Sequence, residues 1–175
     1  MVSNQSLVHH VLTSTVLPGL VTIGQVSIVP GLNIEASRLL SSLLRYSREA
    51  RVGVLLVEAG AVPLLIGLLN SPHSQLINEM LVALALLTAP RPPLPALVEN
   101  INPEFLSVKI KEILGLEEEK CPLQVKYNAM SLVKSILQWD IASIKDQFSR
   151  AGLREEMGKF DQDTELVQQM MKLLS

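Results

Sequence analysis

The chain has 175 residues, 48% of them apolar, which suits one domain or a short repeat array whose core needs neither metal nor disulfide. Fifteen Lys and Arg against seventeen Asp and Glu give a net charge of −2, and without a basic surplus nucleic acid is excluded as an electrostatically driven partner. One Trp, two Tyr and three Phe stand against 32 Leu, so the apolar content is of the helix-favouring kind and the expected fold is all-α.

Residues 1 to 37 contain no Lys or Arg, and Glu35 is their only acid. Their apolar runs are broken by Pro18, Gly19, Gly24, Pro30 and Gly31, short of the roughly 20 apolar residues a membrane span needs. A secretory signal would need a basic start, and a mitochondrial presequence would need arginines. A cytosolic protein is therefore expected. Its N-terminal segment, residues 1–33, is either a loosely packed apolar cover or a stretch that replaces native sequence after truncation or splicing of something longer.

From Ile34 onward the pattern is helical. Over 34–46, Ile34, Leu39, Leu40, Leu43 and Leu44 recur at three- and four-residue spacing and predict the inward face of a helix; Ser37, Arg38, Ser41, Ser42 and Arg45 take the other face. A short helix over about 49–59 turns Val52, Leu55 and Leu56 inward and stops at Gly60. Pro63 falls in the first turn of a helix reaching Leu69 with a stripe of Leu64, Leu65, Leu68 and Leu69. Residues 70–74 break it, with Ser71 or Ser74 available as a cap, and a third helix over 74–88 presents Leu76, Ile77, Met80, Leu81, Leu84 and Leu87.

Three helices in some 42 residues point to a repeat of the helical-solenoid class. A shift of 41 aligns Ser37-Arg38-Leu39-Leu40 with Asn78-Glu79-Met80-Leu81, and a further 50 aligns Ile77-Asn78-Glu79-Met80 with Tyr127-Asn128-Ala129-Met130. Glu58-Ala59-Gly60 independently matches Arg150-Ala151-Gly152 at a shift of 92. The regions expected are a partial repeat over 34–47 and further repeats over 48–89, 90–139 and 140–175. In the third of these, a proline-rich connection from Pro90 to Pro95 comes before a helix capped by Asn102, opened by Pro103 and closed at Gly115. Its last helix covers about 122–138. The final repeat has Asp140 as its expected cap, Ile141, Ile144 and Phe148 on one face, a stop at Gly152, and a closing helix of Leu166, Val167, Met170, Met171 and Leu174.

The run from Arg38 to Ser47 and the segment Val57-Glu58-Ala59-Gly60-Ala61-Val62-Pro63-Leu64-Leu65 resemble armadillo repeats in general. Asn78 to Leu86 and Val125 to Leu132 narrow the likeness. In this order they resemble the C-terminal armadillo repeats of the small-GTPase GDP-dissociation stimulator family, SmgGDS or Rap GTPase-GDP dissociation stimulator, over about residues 36–160. Residues 1–33 and Pro90 to Pro95 depart from that pattern. The resemblance implies an armadillo-type right-handed α-solenoid of three to four repeats, a C-terminal portion or short isoform of a longer protein. It also implies small GTPases of Rho or Rap type as partners, with stimulation of GDP release or chaperoning as the activity. The family's lipid pocket belongs to N-terminal repeats not matched here. A cytosolic location is implied, with endoplasmic reticulum, mitochondrion or nucleus as further family locations.

Third helices of armadillo arrays line the concave groove, which makes Ser37, Arg38, Arg45, Asn78, Glu79, Asn128 and Lys134 the candidate partner contacts. For each residue alone, a solvated polar face is the competing explanation. Glu117, Glu118 and Glu119, the only acidic run, could meet a polybasic tail, although a loop that keeps the protein in solution explains them as well. Cys121 reads as an exposed but inert thiol, Trp139 as a residue at the edge of the core, and His9, His10 and His73 as no metal site. With no phosphate-cradling glycine loop, GxSxG or HExxH, neither an enzyme nor a cofactor is expected. The alternative function is a generic armadillo scaffold holding an extended peptide in its groove. Leu39, Leu40 and Leu43 would leave an apolar N-terminal repeat face through which two copies could associate.

Overall fold

The structure is a computed structural model that describes residues 10–11, 15–26, 31–47, 51–90 and 92–175. Among these residues are eleven α-helices and no strand. They are α1 (Val16–Val26), α2 (Leu32–Tyr46), α3 (Arg51–Glu58), α4 (Ala61–Gly67, extended by a 3-10 turn Leu68–Asn70), α5 (Ser74–Thr88), α6 (Pro95–Asn100), α7 (Pro103–Gly115), α8 (Leu123–Leu137), α9 (Ala142–Arg150), α10 (Leu153–Met157) and α11 (Glu165–Leu173).

The long helices α2, α5, α8 and α11 form a row, each packed on the next, and this row is the spine of the molecule. The shorter helices make the second layer. α3 and α4 lead into α5, α6 and α7 into α8, and α9 and α10 into α11. One apolar core runs the length of the array, from Leu17 and Leu40 through Leu65, Met80 and Leu84 to Ile110, Met130, Phe148 and Met170. Each layer is amphipathic and buries its apolar face only against its neighbours, the condition that makes stacked repeats mutually dependent.

Local signals act as expected at several joints. Gly60 (φ 80°) and Gly152 (φ 75°) turn the chain between the first and second helices of their units in the left-handed conformation that suits glycine. The Asn102 side chain accepts from the Phe105 backbone N–H at 3.1 Å, with Pro103 in the first turn, so α7 starts on a formed cap. Asp140 differs from expectation: it sits at φ 60° and bonds Lys145 Nζ at 2.6 Å, while Ile141 precedes α9 with no side-chain cap. Ser71 accepts from the His73 N–H at 3.1 Å and so stabilises the turn, leaving α5 without a side-chain cap.

Three helices escape the sequence reading. α6 begins at Pro95, inside what reads as a proline-rich connection, because proline is well placed at a first helical turn. α10 has only five residues, too few for periodicity to show. α1 lies in the uncharged segment and buries Leu17 and Val21, packing on α2 and α4; with no charged residue on either face, its sequence carried little contrast. Residues 1–9, 12–14 and 27–30 of that segment, with His9 among them, lie outside the described residues.

No single helix among the described residues is long and apolar enough to cross a membrane. One helix pair, Arg51–Glu58 with Ala61–Asn70, passes by composition but is bent by 81°.

Candidate partner-binding surface on the long-helix row

Burial fixes how the long helices correspond. In α2 the buried residues Ala36, Ser37, Leu40, Ser41 and Leu43 match Leu76, Ile77, Met80, Leu81 and Ala83 in α5, a shift of 40. In α8 the matching residues are Val125, Lys126, Ala129, Met130 and Leu132, a further 49. Both shifts are one residue shorter than those the sequence suggests. Ser37 therefore belongs with Ile77 and Lys126, all three buried, rather than with Asn78 and Asn128.

This corrects the place of Ser37 in the candidate set. Its side chain is 0% exposed, and its hydroxyl has no hydrogen-bond partner, so it cannot reach a binding partner. Ser41 is likewise buried, its hydroxyl 3.4 Å from the Glu79 carbonyl, whereas Leu39, expected inward, is exposed. The cause is that α2 is flanked by α1 on one side and α5 on the other, so small hydroxyl residues fill the close α2–α5 seam while Leu39 falls outside it.

The same register explains why the remaining polar residues come together. Arg38 Nε meets Glu79 Oε2 at 3.2 Å and Arg38 Nη1 meets Glu35 Oε1 at 3.0 Å, a chain of three charges across α2 and α5. Asn128 Nδ2 donates to Asn78 Oδ1 at 2.7 Å, and Gln124 Nε2 donates to Asn128 Oδ1 at 3.3 Å, which continues the polar seam across α5 and α8. Arg38 and Asn78 are matching positions in the burial register, and so are Glu79 and Asn128. Each contact thus joins one position to the next position on the following helix. The two acids beside Arg38, Glu79 foremost, raise its pKa further, so the guanidinium is a fixed positive point on this surface. Glu35 and Gln124 belong to the seam although the sequence search did not select them; their partners three and four residues further along the same helix face, Arg38 and Asn128, were the available signal.

Arg45 is exposed and Lys134 half-buried, each in the last turn of its helix and apart from these seams. Glu117, Glu118 and Glu119 form an exposed turn after α7; Glu117 is paired with Lys120 at 3.5 Å, and Glu118 borders a cavity of about 410 Å³ between α7, α8 and residues 156–161. A second cavity, about 550 Å³, lies between the N-terminal ends of α2 and α5 and is lined by Glu35, Arg38 and His73 among others.

Other residues singled out by the sequence turn inward. Cys121 is 1% exposed instead of exposed, and burial raises its thiol pKa against the opposing pull of Lys126. Trp139 is buried and its indole N–H donates to the Thr88 carbonyl at 3.0 Å, fastening the end of α8 to the end of α5. Lys126 is also buried, with its ammonium donating to the Leu116 carbonyl and lying 5.8 Å from the Phe160 ring centroid. Buried Glu156 holds Lys159 at 2.8 Å and raises its pKa through that hydrogen bond. Among the described residues no group of three His, Cys, Asp or Glu is placed to hold a metal ion. The seams of the long-helix row present paired charges and amide groups.

Residues 54–89, which span α3 to α5, match the model of the armadillo/beta-catenin-like repeat. A computationally designed armadillo repeat protein for modular peptide recognition superposes on 95% of this chain and 66% of its own with a TM-score of 0.73 at 17% identity. The fold is an armadillo solenoid. A structure titled as an engineered protein agrees in fold, with a TM-score of 0.65 over 90% of this chain and 61% of its own at 24% identity. In sequence, this armadillo chain is 31% identical over 105 residues to Rap1 GTPase-GDP dissociation stimulator 1-B of Xenopus laevis, and 33% identical over 102 residues to the 1-A protein of that species. Those stretches are 59% and 57% of this chain but only 16% of either relative. The resemblance to GDP-dissociation stimulators read from the residues is thus present as a partial one.

Proposed function

We propose that this chain is a small-GTPase-binding armadillo protein that acts by contact alone, with the long-helix row as its docking surface. The observation that carries the reading is the similarity of about a hundred residues to two Rap1 GTPase-GDP dissociation stimulators, joined to a polar seam on the helices that bear the matching motifs. Arg38, Glu79, Asn78 and Asn128 form the fixed centre of the surface, Arg45 and Lys134 its outlying cations, and Glu117 to Glu119 a flank suited to a basic tail. The partner class is Rho- and Rap-type GTPases, met in the cytosol.

Stimulated GDP release needs no bond chemistry. A protein that binds the nucleotide-free GTPase more tightly than the loaded form lowers the affinity for GDP by the same factor, because the coupling is reciprocal. A factor of ten corresponds to about 1.4 kcal/mol of differential binding, within reach of a few charge-assisted contacts. The test is release of a fluorescent GDP analogue from Rho- and Rap-type GTPases with and without the chain, beside pull-downs of loaded and nucleotide-free forms. Binding with faster release supports both docking and exchange. Binding without faster release supports docking only, and no binding to either form rejects the proposal.

A further inference from the structure

The cavity of about 410 Å³ between α7, α8 and residues 156–161 is lined by two buried charges of opposite sign, and only one of them has an ionic partner. Glu156, 5% exposed, is held by Lys159 at 2.8 Å. Lys126, 7% exposed, pairs with no carboxylate among the described residues; the ion pairs nearest to it in the chain are Glu117 with Lys120 and Glu156 with Lys159. Its ammonium has three donors, of which one goes to the Leu116 carbonyl, and the Phe160 ring centroid stands 5.8 Å away. A buried ammonium without a counter-ion is costly, and one carbonyl and a ring face offset only part of that cost. The start of α8 adds to the positive side: Leu123 lines the cavity and the helix has no side-chain cap, so the open N–H groups of its first turn carry the positive end of the helix dipole there. Leu114, Leu116, Leu123, Tyr127 and Phe160 supply apolar wall.

We propose that this cavity binds a small monocarboxylate with an apolar body, its carboxylate on the Lys126 ammonium and its body against Phe160 and the leucines. The charges select that class. Lys159 already neutralises Glu156, so Lys126 leaves one positive charge inside, which one carboxylate matches. Glu118 and Asp161, exposed where they line the cavity, oppose a second negative charge and so disfavour phosphate and dicarboxylates. A cationic ligand would face Lys126 and find Glu156 taken. The volume lies within the range of about 300–1,000 Å³ usual for small-ligand pockets. Lys126, Glu156 and Lys159 lie outside the polar seams of the long-helix row, so the site is tested without any GTPase.

The test is titration of the full chain with hexanoate and with phenylacetate, read by the thermal unfolding midpoint and by chemical shifts of the isotope-labelled protein. The expected result is a midpoint that rises with ligand concentration and shifts centred on Leu116, Lys126 and Phe160. Hexanamide, the uncharged counterpart, and inorganic phosphate should each bind at least about tenfold more weakly. Lys126→Met keeps the aliphatic stem, removes the charge and should weaken carboxylate binding by a similar factor. Lys111→Ala, at an exposed site on α7 outside the cavity, should leave it unchanged. Far-ultraviolet dichroism checks that the Met variant folds, and the hexanamide comparison tests the same charge in the unaltered chain. No response to either carboxylate would overturn the proposal, as would equal binding of hexanamide, tighter binding of phosphate, or shifts centred away from Lys126.

Discussion

Asn128 Nδ2 donates to Asn78 Oδ1 at 2.7 Å, and Arg38 meets Glu79 at 3.2 Å in the same relation one helix earlier. Two contacts of different chemistry join the same pair of register positions on successive long helices, so this surface is held by bonds between helices. Removing either amide leaves the other half-buried without its partner. Asn78→Ala and Asn128→Ala should each cost about 1 kcal/mol, and the double variant should cost less than the sum by at least about 0.5 kcal/mol. Urea unfolding of the four-member cycle measures this; strict additivity would mean that the bond contributes nothing.

Trp139 donates to the Thr88 carbonyl inside the core. Trp139→Phe keeps most of the ring packing but leaves that carbonyl unpaired, for an expected loss of about 1–3 kcal/mol. Trp139→Ala adds a cavity and should cost about 3–5 kcal/mol. Thermal unfolding followed by circular dichroism separates the two, and equal losses would show that packing alone matters.

Cys121 should not react with a disulfide reagent until the chain unfolds, since it is 1% exposed. Burial also raises its thiol pKa, so as pH climbs the unfolded chain gives up this proton before the folded one does. Stability is then full below the ordinary thiol range and falls as pH passes through it toward the raised folded value. Cys121→Ala should flatten that alkaline decline. Rapid modification of the native chain, or an unchanged alkaline limb, would contradict the assignment.

Lys126 takes a buried position that Ser37 and Ile77 hold in the preceding long helices, and its ammonium satisfies the Leu116 carbonyl just beyond α7. Lys126→Met keeps the apolar stem and loses the bond, with an expected cost of about 1–2 kcal/mol. Denaturant unfolding checks it; a more stable Met variant would mean that desolvation of the ammonium outweighs its bond.

The sequence reveals most of the fold and less of the surface, for identifiable reasons. α5 and α7 are legible to the residue, because turn chemistry at 70–74 and the Asn102-Pro103 start coincide with strong periodicity. α1, α6 and α10 are hidden by missing polar contrast, by proline in a helical first turn, and by brevity. For the surface, aligning like residues found Arg38, Glu79, Asn78 and Asn128 but mistook contact for equivalence. Polar residues that bond across a seam are one position apart in the repeat, which shifted the register by one and put Ser37 on a face it does not occupy. Burial depends on both neighbours of a helix, and a single-helix pattern registers neither.

The central claim is tested most directly by titrating the chain against nucleotide-free and GDP-loaded GTPases of Rho and Rap type, with Arg45→Glu and Lys134→Glu as surface variants outside the seams. The account predicts binding with preference for the nucleotide-free form, weakened several-fold in the double variant while its unfolding midpoint stays unchanged. Absence of binding to either form by the intact, folded chain would contradict it.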